Sequence, residues 1–385
     1  SISEVPQIYK DTVASATAIS GTNFTDPNFR LPSDWRLQLA VDHSFEIPGL
    51  GEDYIWTTEY LYKREKDTAF WVDASLTEED KDGTTSDGGR IVYNDADGST
   101  RDLMLTNADE EGRARVISTA LSKAYDNGIR FTASYTNQDI TDAHTSTSST
   151  ASSNYGNNTV INRNEALVGR STFETEHRFV LNLGYETEVF AGYATNINLF
   201  FERRSGKPIT YFMDGNDLDG SSGPGRDPYG LLSPGTTNDA FLPYIPTEND
   251  PNVVFVSDAA RTTFFNTIRE LGLDKYAGGY LPKGVSTTPW VNTLDLSVRQ
   301  EVPGFLPDHR GTVYLTVDNF LNLIDSSQGK VYGSDFGTIE LTDFTIDPVT
   351  KQYIYGNPTT NTTNYRTFYT QDSVWRLKVG VNYRF

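Results

Sequence analysis

The residue types that could do chemistry are few and scattered. Among 385 residues there is no cysteine, which removes thiol nucleophiles, thiolate zinc sites and disulfides. The four histidines, His43, His144, His177 and His309, stand far apart; none pairs with another at helical spacing or with a Gly-x-Ser-x-Gly elbow. No catalytic constellation forms, so no enzymatic activity is expected. One segment does gather hard oxygen ligands: Asp214-Gly215-Asn216-Asp217-Leu218-Asp219-Gly220. Asp214, Asn216, Asp217 and Asp219 are the donors that a calcium ion would take there. The full spacing Asp-x-Asp-x-Asp-Gly with a distal Glu is not met, because Leu218 sits where a third ligand would fall, so a solvated acidic turn is the leading reading and calcium the competing one. A net charge of -20 excludes a nucleic-acid partner, whose phosphates would be repelled, and favours divalent cations or basic ligands.

Polar loops need a scaffold, and the last thirteen residues display it. From Ser373 to Phe385, Trp375, Leu377, Val379, Val381, Tyr383 and Phe385 fall on one face by the period of two, while Arg376, Lys378, Asn382 and Arg384 fall on the other. The aromatic positions in the closing Tyr-Arg-Phe lie where an interfacial girdle would run. The same alternation recurs upstream. Trp35, Leu37 and Leu39 oppose Arg36; Tyr60 opposes Glu59; Leu181 and Leu183 oppose Arg178; Leu296 opposes Asp295 and Arg299. Further stripes run through 115–125 and 129–137, through Leu199, and through Leu315, which brings the count to nine strands. Charges at alternate positions need water. The face carrying Arg36, Glu59, Arg178, Asp295, Arg299, Arg376 and Lys378 therefore reads as a lumen, and the apolar face as lipid-facing.

Composition agrees. Only 37% of residues are hydrophobic, mean hydropathy is negative, and the longest unbroken hydrophobic runs, 69–72 and 253–256, have four residues against about 18 for a membrane helix. Tight connections (around 48–53, 126–128, 186–192, 303–311) alternate with long ones (about 66–114, 138–172, 203–289, 319–372). Short periplasmic turns and long extracellular loops give that pattern. Within the loops, Ser257 is placed to cap a single short helix to about Leu273, with Phe264, Phe265, Ile268 and Leu271 on one face. A hairpin spans 339–355, and Ser146 to Asn158 reads as a mobile tip. The expected fold is all-β: a transmembrane antiparallel β-barrel segment, with residues 1–30 as an N-terminal extracellular segment and 31–385 as barrel.

Several stretches, in order, resemble the C-terminal half of a TonB-dependent outer-membrane receptor of the Oar-like group, whose members carry an N-terminal carboxypeptidase-regulatory-like domain. They are Asp26-Pro27-Asn28-Phe29-Arg30-Leu31-Pro32, Glu59-Tyr60-Leu61-Tyr62, Glu176-His177-Arg178-Phe179 and Ser205-Gly206-Lys207-Pro208-Ile209, then Pro289-Trp290-Val291-Asn292, Asp318-Asn319-Phe320-Leu321-Asn322-Leu323 and the terminal strand. The resemblance implies a 22-stranded barrel filled by a plug, import powered by TonB, and a large organic or protein ligand captured by the loops. It also implies that Phe385 belongs to the signal read by the barrel-assembly machinery. The plug, TonB box and regulatory-like domain are not in this sequence.

Nine strands of alternating direction cannot close antiparallel. The expectation is therefore a chain split in an extracellular loop, completed by a second polypeptide that carries the remaining strands, the plug and the contact with TonB. It would sit in the outer membrane of a Gram-negative bacterium, C-terminus periplasmic. A passive porin or surface adhesin is one competing reading; a soluble secreted β-rich binding protein is another.

Overall fold

A computed structural model describes residues 22–93, 102–144, 146–214, 240–306, 308–333, 337–360 and 369–385. Nine long strands form one antiparallel meander: β1 (Ser33–Ile47), β2 (Gly51–Lys66), β3 (Arg113–Ala124), β4 (Ile129–Asp142), β5 (His177–Phe190), β6 (Tyr193–Arg204), β7 (Val291–Pro303), β8 (Arg310–Asp318) and β9 (Arg376–Arg384). Each pairs with its sequence neighbour, across the four tight turns and the four long connections alike. At 125–128 the Tyr125 N–H donates to the Ile129 carbonyl (2.8 Å) and Gly128 takes φ +86°. A Cβ on Gly128 would lie 2.0 Å from the Glu186 carbonyl oxygen, so the turn needs glycine for space as well as for handedness. Among the described residues, β1 and β9 are the open edges of the sheet. Both run toward the tight-turn end, so they cannot pair antiparallel with each other.

Register sorts the side chains. Phe131, Leu183, Leu199, Leu296, Val317 and Leu377 line up across β4 to β9, and Ile129, Tyr185, Ile197, Val298, Leu315 and Val379 form the next row. The intervening row, Arg130, Gly184, Asn198, Ser297, Thr316 and Lys378, points to the opposite face. In an ordinary half-buried sheet the apolar rows would cover a core. Here the apolar face is largely uncovered toward the sheet's edges: Trp35 is 74% exposed, Leu39 59%, Leu377 54% and Val379 68%, whereas Val317 is buried. No helix among the described residues is long and apolar enough to cross a membrane.

The core lies elsewhere. The described parts of the long connections 67–112, 143–176, 205–290 and 319–375 converge at one end of the sheet into a cap with its own hydrophobic interior. In it Pro208–Asp214 pairs parallel with Thr338–Ile346, which pairs antiparallel with Tyr353–Tyr355, which in turn pairs parallel with Val253–Phe255. Ile209, Met213, Leu341, Tyr353 and Tyr355 are essentially buried there. The 339–355 hairpin is present, with its turn held by Asp347 Oδ1, which accepts from the N–H groups of Val349 (2.9 Å) and Thr350 (2.7 Å).

The cap departs from expectation in its helices. Among the described residues there are four α-helical segments instead of one, α1 (Ala151–Gly156), α2 (Asp258–Glu270), α3 (Phe320–Ile324) and α4 (Thr370–Ser373), with a 3-10 turn at Asp274–Tyr276. α2 is the helix read from the sequence. Ser257 Oγ accepts from the Ala260 N–H (3.1 Å), and Phe264, Phe265 and Ile268 are buried, with Phe264 5.3 Å from the Tyr355 ring. The 146–158 stretch is not a free tip. Asn154 closes it by accepting from the Ser148 N–H and donating to the Ser148 carbonyl, each at 3.0 Å. Tyr155 is buried under the Arg163 guanidinium, which also donates to the Tyr155 carbonyl (3.0 Å).

Candidate ligand-binding site

The polar face of the sheet is a network of charges. Arg36, Glu59, Arg178, Asp295, Arg299, Arg376 and Lys378 all fall on it by register. Arg178 Nε donates to Glu202 (2.6 Å), Lys378 Nζ to Asp318 (2.8 Å), Arg36 Nε to Asp34 (2.6 Å), and Glu59 accepts from Gln38. Asp295 accepts from the Asn319 N–H (2.7 Å), which fastens the start of the last long connection, and Arg376 donates to the Gln371 carbonyl (2.5 Å). These residues form a broad polar surface rather than one converging site.

Aromatic residues mark both ends of the apolar face. At the cap end His177 stacks on Trp290 (6.0 Å), accepts or donates at Nδ1 with the Tyr135 hydroxyl (2.9 Å), and Tyr135 packs on Phe179 (4.7 Å). At the turn end Phe45 stacks on His43 and Tyr54, and the Tyr383 hydroxyl meets His309 Nδ1 (2.8 Å). Lys123, which breaks the β3 stripe in the sequence, lies over the Tyr54 and Tyr125 rings and donates to the Glu52 carbonyl at that same end. From His177 to Tyr185 is eight residues, about 27 Å of strand.

The cap holds a cavity of about 320 Å³ where three long connections meet the strand ends. Its walls come from α1 and the preceding turn, from Thr172 and Phe173, from Lys207 and Thr288, and from Tyr332, Gly333, Gly337 and Tyr369. Lys207 is fully engaged: its ammonium donates to the Phe173 carbonyl (2.8 Å), Thr175 Oγ1 (2.9 Å) and the Glu174 carbonyl (3.3 Å). Burial, reinforced by the Arg204 charge, lowers its pKa. His144 is buried, and its pKa falls to about 4 because burial disfavours the imidazolium. Nδ1 accepts from the Ser146 N–H (2.7 Å), so Nε2 carries the proton and donates to the Asn154 carbonyl (2.8 Å). His144 is thus a neutral brace for one wall.

Of the candidate calcium donors only Asp214 lies among the described residues; Asn216, Asp217 and Asp219 lie outside them. Asp214 ends the strand 208–214, where burial and the charge of Asp343 push its pKa up to about 6 against the opposing charge of Arg163. Among the described residues no group of three His, Asp or Glu side chains is arranged to hold a metal ion. The four histidines sit at four separate places.

The chain matches no model of a known protein family, and no curated protein resembles it closely enough to count as a match. Sequence reasoning found the strands and their faces but missed the cavity. Tyr332, Tyr369, Asn157 and Asn158 lie in polar stretches whose local pattern is that of any loop. The one local signal was Gly333 beside Tyr332: a Cβ there would come within 2.3 Å of the distant Tyr369 ring, which lies across the chain at this glycine.

Proposed function

We propose that the chain is the C-terminal portion of a TonB-dependent outer-membrane transporter barrel, with ligand captured at the cap and passed along the polar face once a plug is displaced. The observation that carries this reading is the inverted sheet: much of its apolar face is exposed, its opposite face is charged, and aromatic residues bracket the apolar band. Burying a Leu or Val in hydrocarbon instead of water stabilises by about 1.5–3 kcal/mol per side chain, so such a face is stable against lipid and a liability in solution. The open edges at β1 and β9 belong to the same reading, since unpaired strand groups in hydrocarbon cost several kcal/mol each. Further strands, on this polypeptide or a second one, would pair there and bring the barrel to 22.

The absence of cysteine makes the test direct. Leu183→Cys and Asn198→Cys, on opposite faces at neighbouring depth, would each be labelled with a polarity-sensitive fluorophore in isolated outer membranes. An apolar emission from position 183 and a watery one from 198 is expected. Watery emission from both, with extraction by buffer alone, would remove the membrane reading. Loss of ligand uptake on discharging the proton gradient separates an energised transporter from a passive porin.

A further inference from the structure

The geometry points to the cap cavity as a binding site for one neutral, polyhydroxylated ring, a sugar residue, at the tip of a larger ligand. Its size sets the first limit: about 320 Å³ is at the small end of ligand pockets, enough for one ring and its substituents. Charge sets the second. Among the described residues no carboxylate lines the cavity, the Lys207 ammonium already has three oxygen partners, and both ring nitrogens of the buried His144 already have hydrogen-bond partners. In a chain of net charge -20, a pocket without a free charge selects an uncharged group.

The remaining polar atoms fit hydroxyls. Asn157 Nδ2 donates to Ser153 Oγ (2.9 Å), which leaves its carbonyl oxygen as an acceptor. Asn158 Oδ1 accepts from Lys283 Nζ (3.2 Å), which leaves its amide as a donor. A donor and an acceptor on adjacent residues complement adjacent hydroxyls, each of which gives and takes a hydrogen bond. Opposite them stand aromatic rings outside the sheet's apolar rows, with Phe173 60% and Tyr369 45% exposed. Rings left open beside amides offer a stacking platform to the C–H face of a sugar. A peptide is recognised chiefly through an exposed strand edge, and the walls here are α1, turns and strand ends, so the sugar is favoured.

This deepens the transporter reading and rests on it only for what happens after capture. Binding to purified protein tests the cavity, whereas uptake tests the barrel. Detergent-solubilised protein would be titrated with neutral methyl hexosides, a hexuronate, a hexosamine and a neutral tripeptide, followed by tyrosine fluorescence and calorimetry. Saturable binding of at least one neutral hexoside is expected, with the charged sugars weaker. Tyr369→Ala should weaken it about tenfold, and Asn157→Asp, which adds a charge without changing shape, by a similar factor. Gly333→Ala, which must displace the Tyr369 ring, should do the same while protease resistance of the cap stays normal. No binding by any neutral hexoside, preference for a charged sugar or the tripeptide, or binding indifferent to Tyr369 and Asn157 would each overturn the proposal.

Discussion

The sheet and the cap solve opposite problems with the same residue types. In the sheet, most Leu and Val on the apolar face stand outward and remain partly or largely exposed, Val317 excepted; in the cap, Ile209, Leu341, Phe264 and Tyr353 are sealed from water by one another. Arg90 shows the contrast most sharply. On the sheet, arginines pair with carboxylates in the open, as Arg178 does with Glu202. Arg90 is fully buried with no carboxylate in direct contact among the described residues: its guanidinium donates to Tyr353 Oη (3.0 Å) and to the Ile161 and Leu242 carbonyls, and stacks 4.7 Å from the Tyr280 ring. The cap has a buried interior of its own, whereas much of the sheet's apolar face is left uncovered by the described residues.

That difference can be broken from either side. The largest effect should come from hollowing the cap: Phe264→Ala removes a fully buried ring and should cost about 3–5 kcal/mol, read as protease sensitivity of the cap while turn-end labels on the sheet stay protected. Loss of both regions together would show that they fold as one unit. Next comes the sheet's orientation, through Leu377→Arg against Lys378→Leu. The two residues share a depth and differ in face, so the first should cost about 2–4 kcal/mol in membrane-refolding titrations and the second far less. Equal damage would end the assignment of faces.

Acid should separate the regions as well. The folded-state pKa of His144, about 4, lies below the usual 6.5. The unfolded chain therefore binds a proton between those values that the folded cap refuses, and His144 makes stability fall as pH drops from 6.5 toward 4, by at most about 3 kcal/mol. Asp214, raised to about 6, works the other way, its folded form holding a proton that the unfolded chain releases above 3.8. The measurement is thus the difference between parent and His144→Gln unfolding profiles across pH 4 to 6.5, where the variant should lose the acid-side decline. The smallest effect is local: Ser257→Ala removes the cap bond of α2 and should cost about 1 kcal/mol, visible only in amide exchange of that helix.

How far these features could be read from the sequence follows from the range of the forces involved. Period-two alternation is a local property, so all nine strands and both faces were legible, as were Ser257 with its helix and the 339–355 hairpin. Lys123 blurred β3 because a lysine at the strand end can lay its stem along the apolar face and turn its ammonium toward Tyr54, Tyr125 and a carbonyl. The cap core stayed hidden for the opposite reason. Its strands at 253–255 and 353–355 have three residues each, too short for a period, and their parallel pairing depends on segments far apart in the chain. The stretch 146–158 misled because its order comes from Arg163 and His144 outside it, and a run of Ser, Thr and Asn says nothing about them.

The Arg90 to Tyr353 bond joins residues 263 positions apart, while every pairing in the large sheet joins neighbours along the chain. The four tight hairpins of the sheet close loops whose ends are already near, and the strands joined by long connections add to them; the contacts of longest sequence separation, in the cap, carry the largest closure entropy and wait for the ends to be brought together. The cap should therefore mature last, once the meander has gathered its loops at one end. In that order the cap cavity forms only after the sheet is in place, so a chain with an unfinished sheet would lack it. Pulse proteolysis during membrane insertion can time the two events, and a protected cap ahead of protected hairpins would reverse that order.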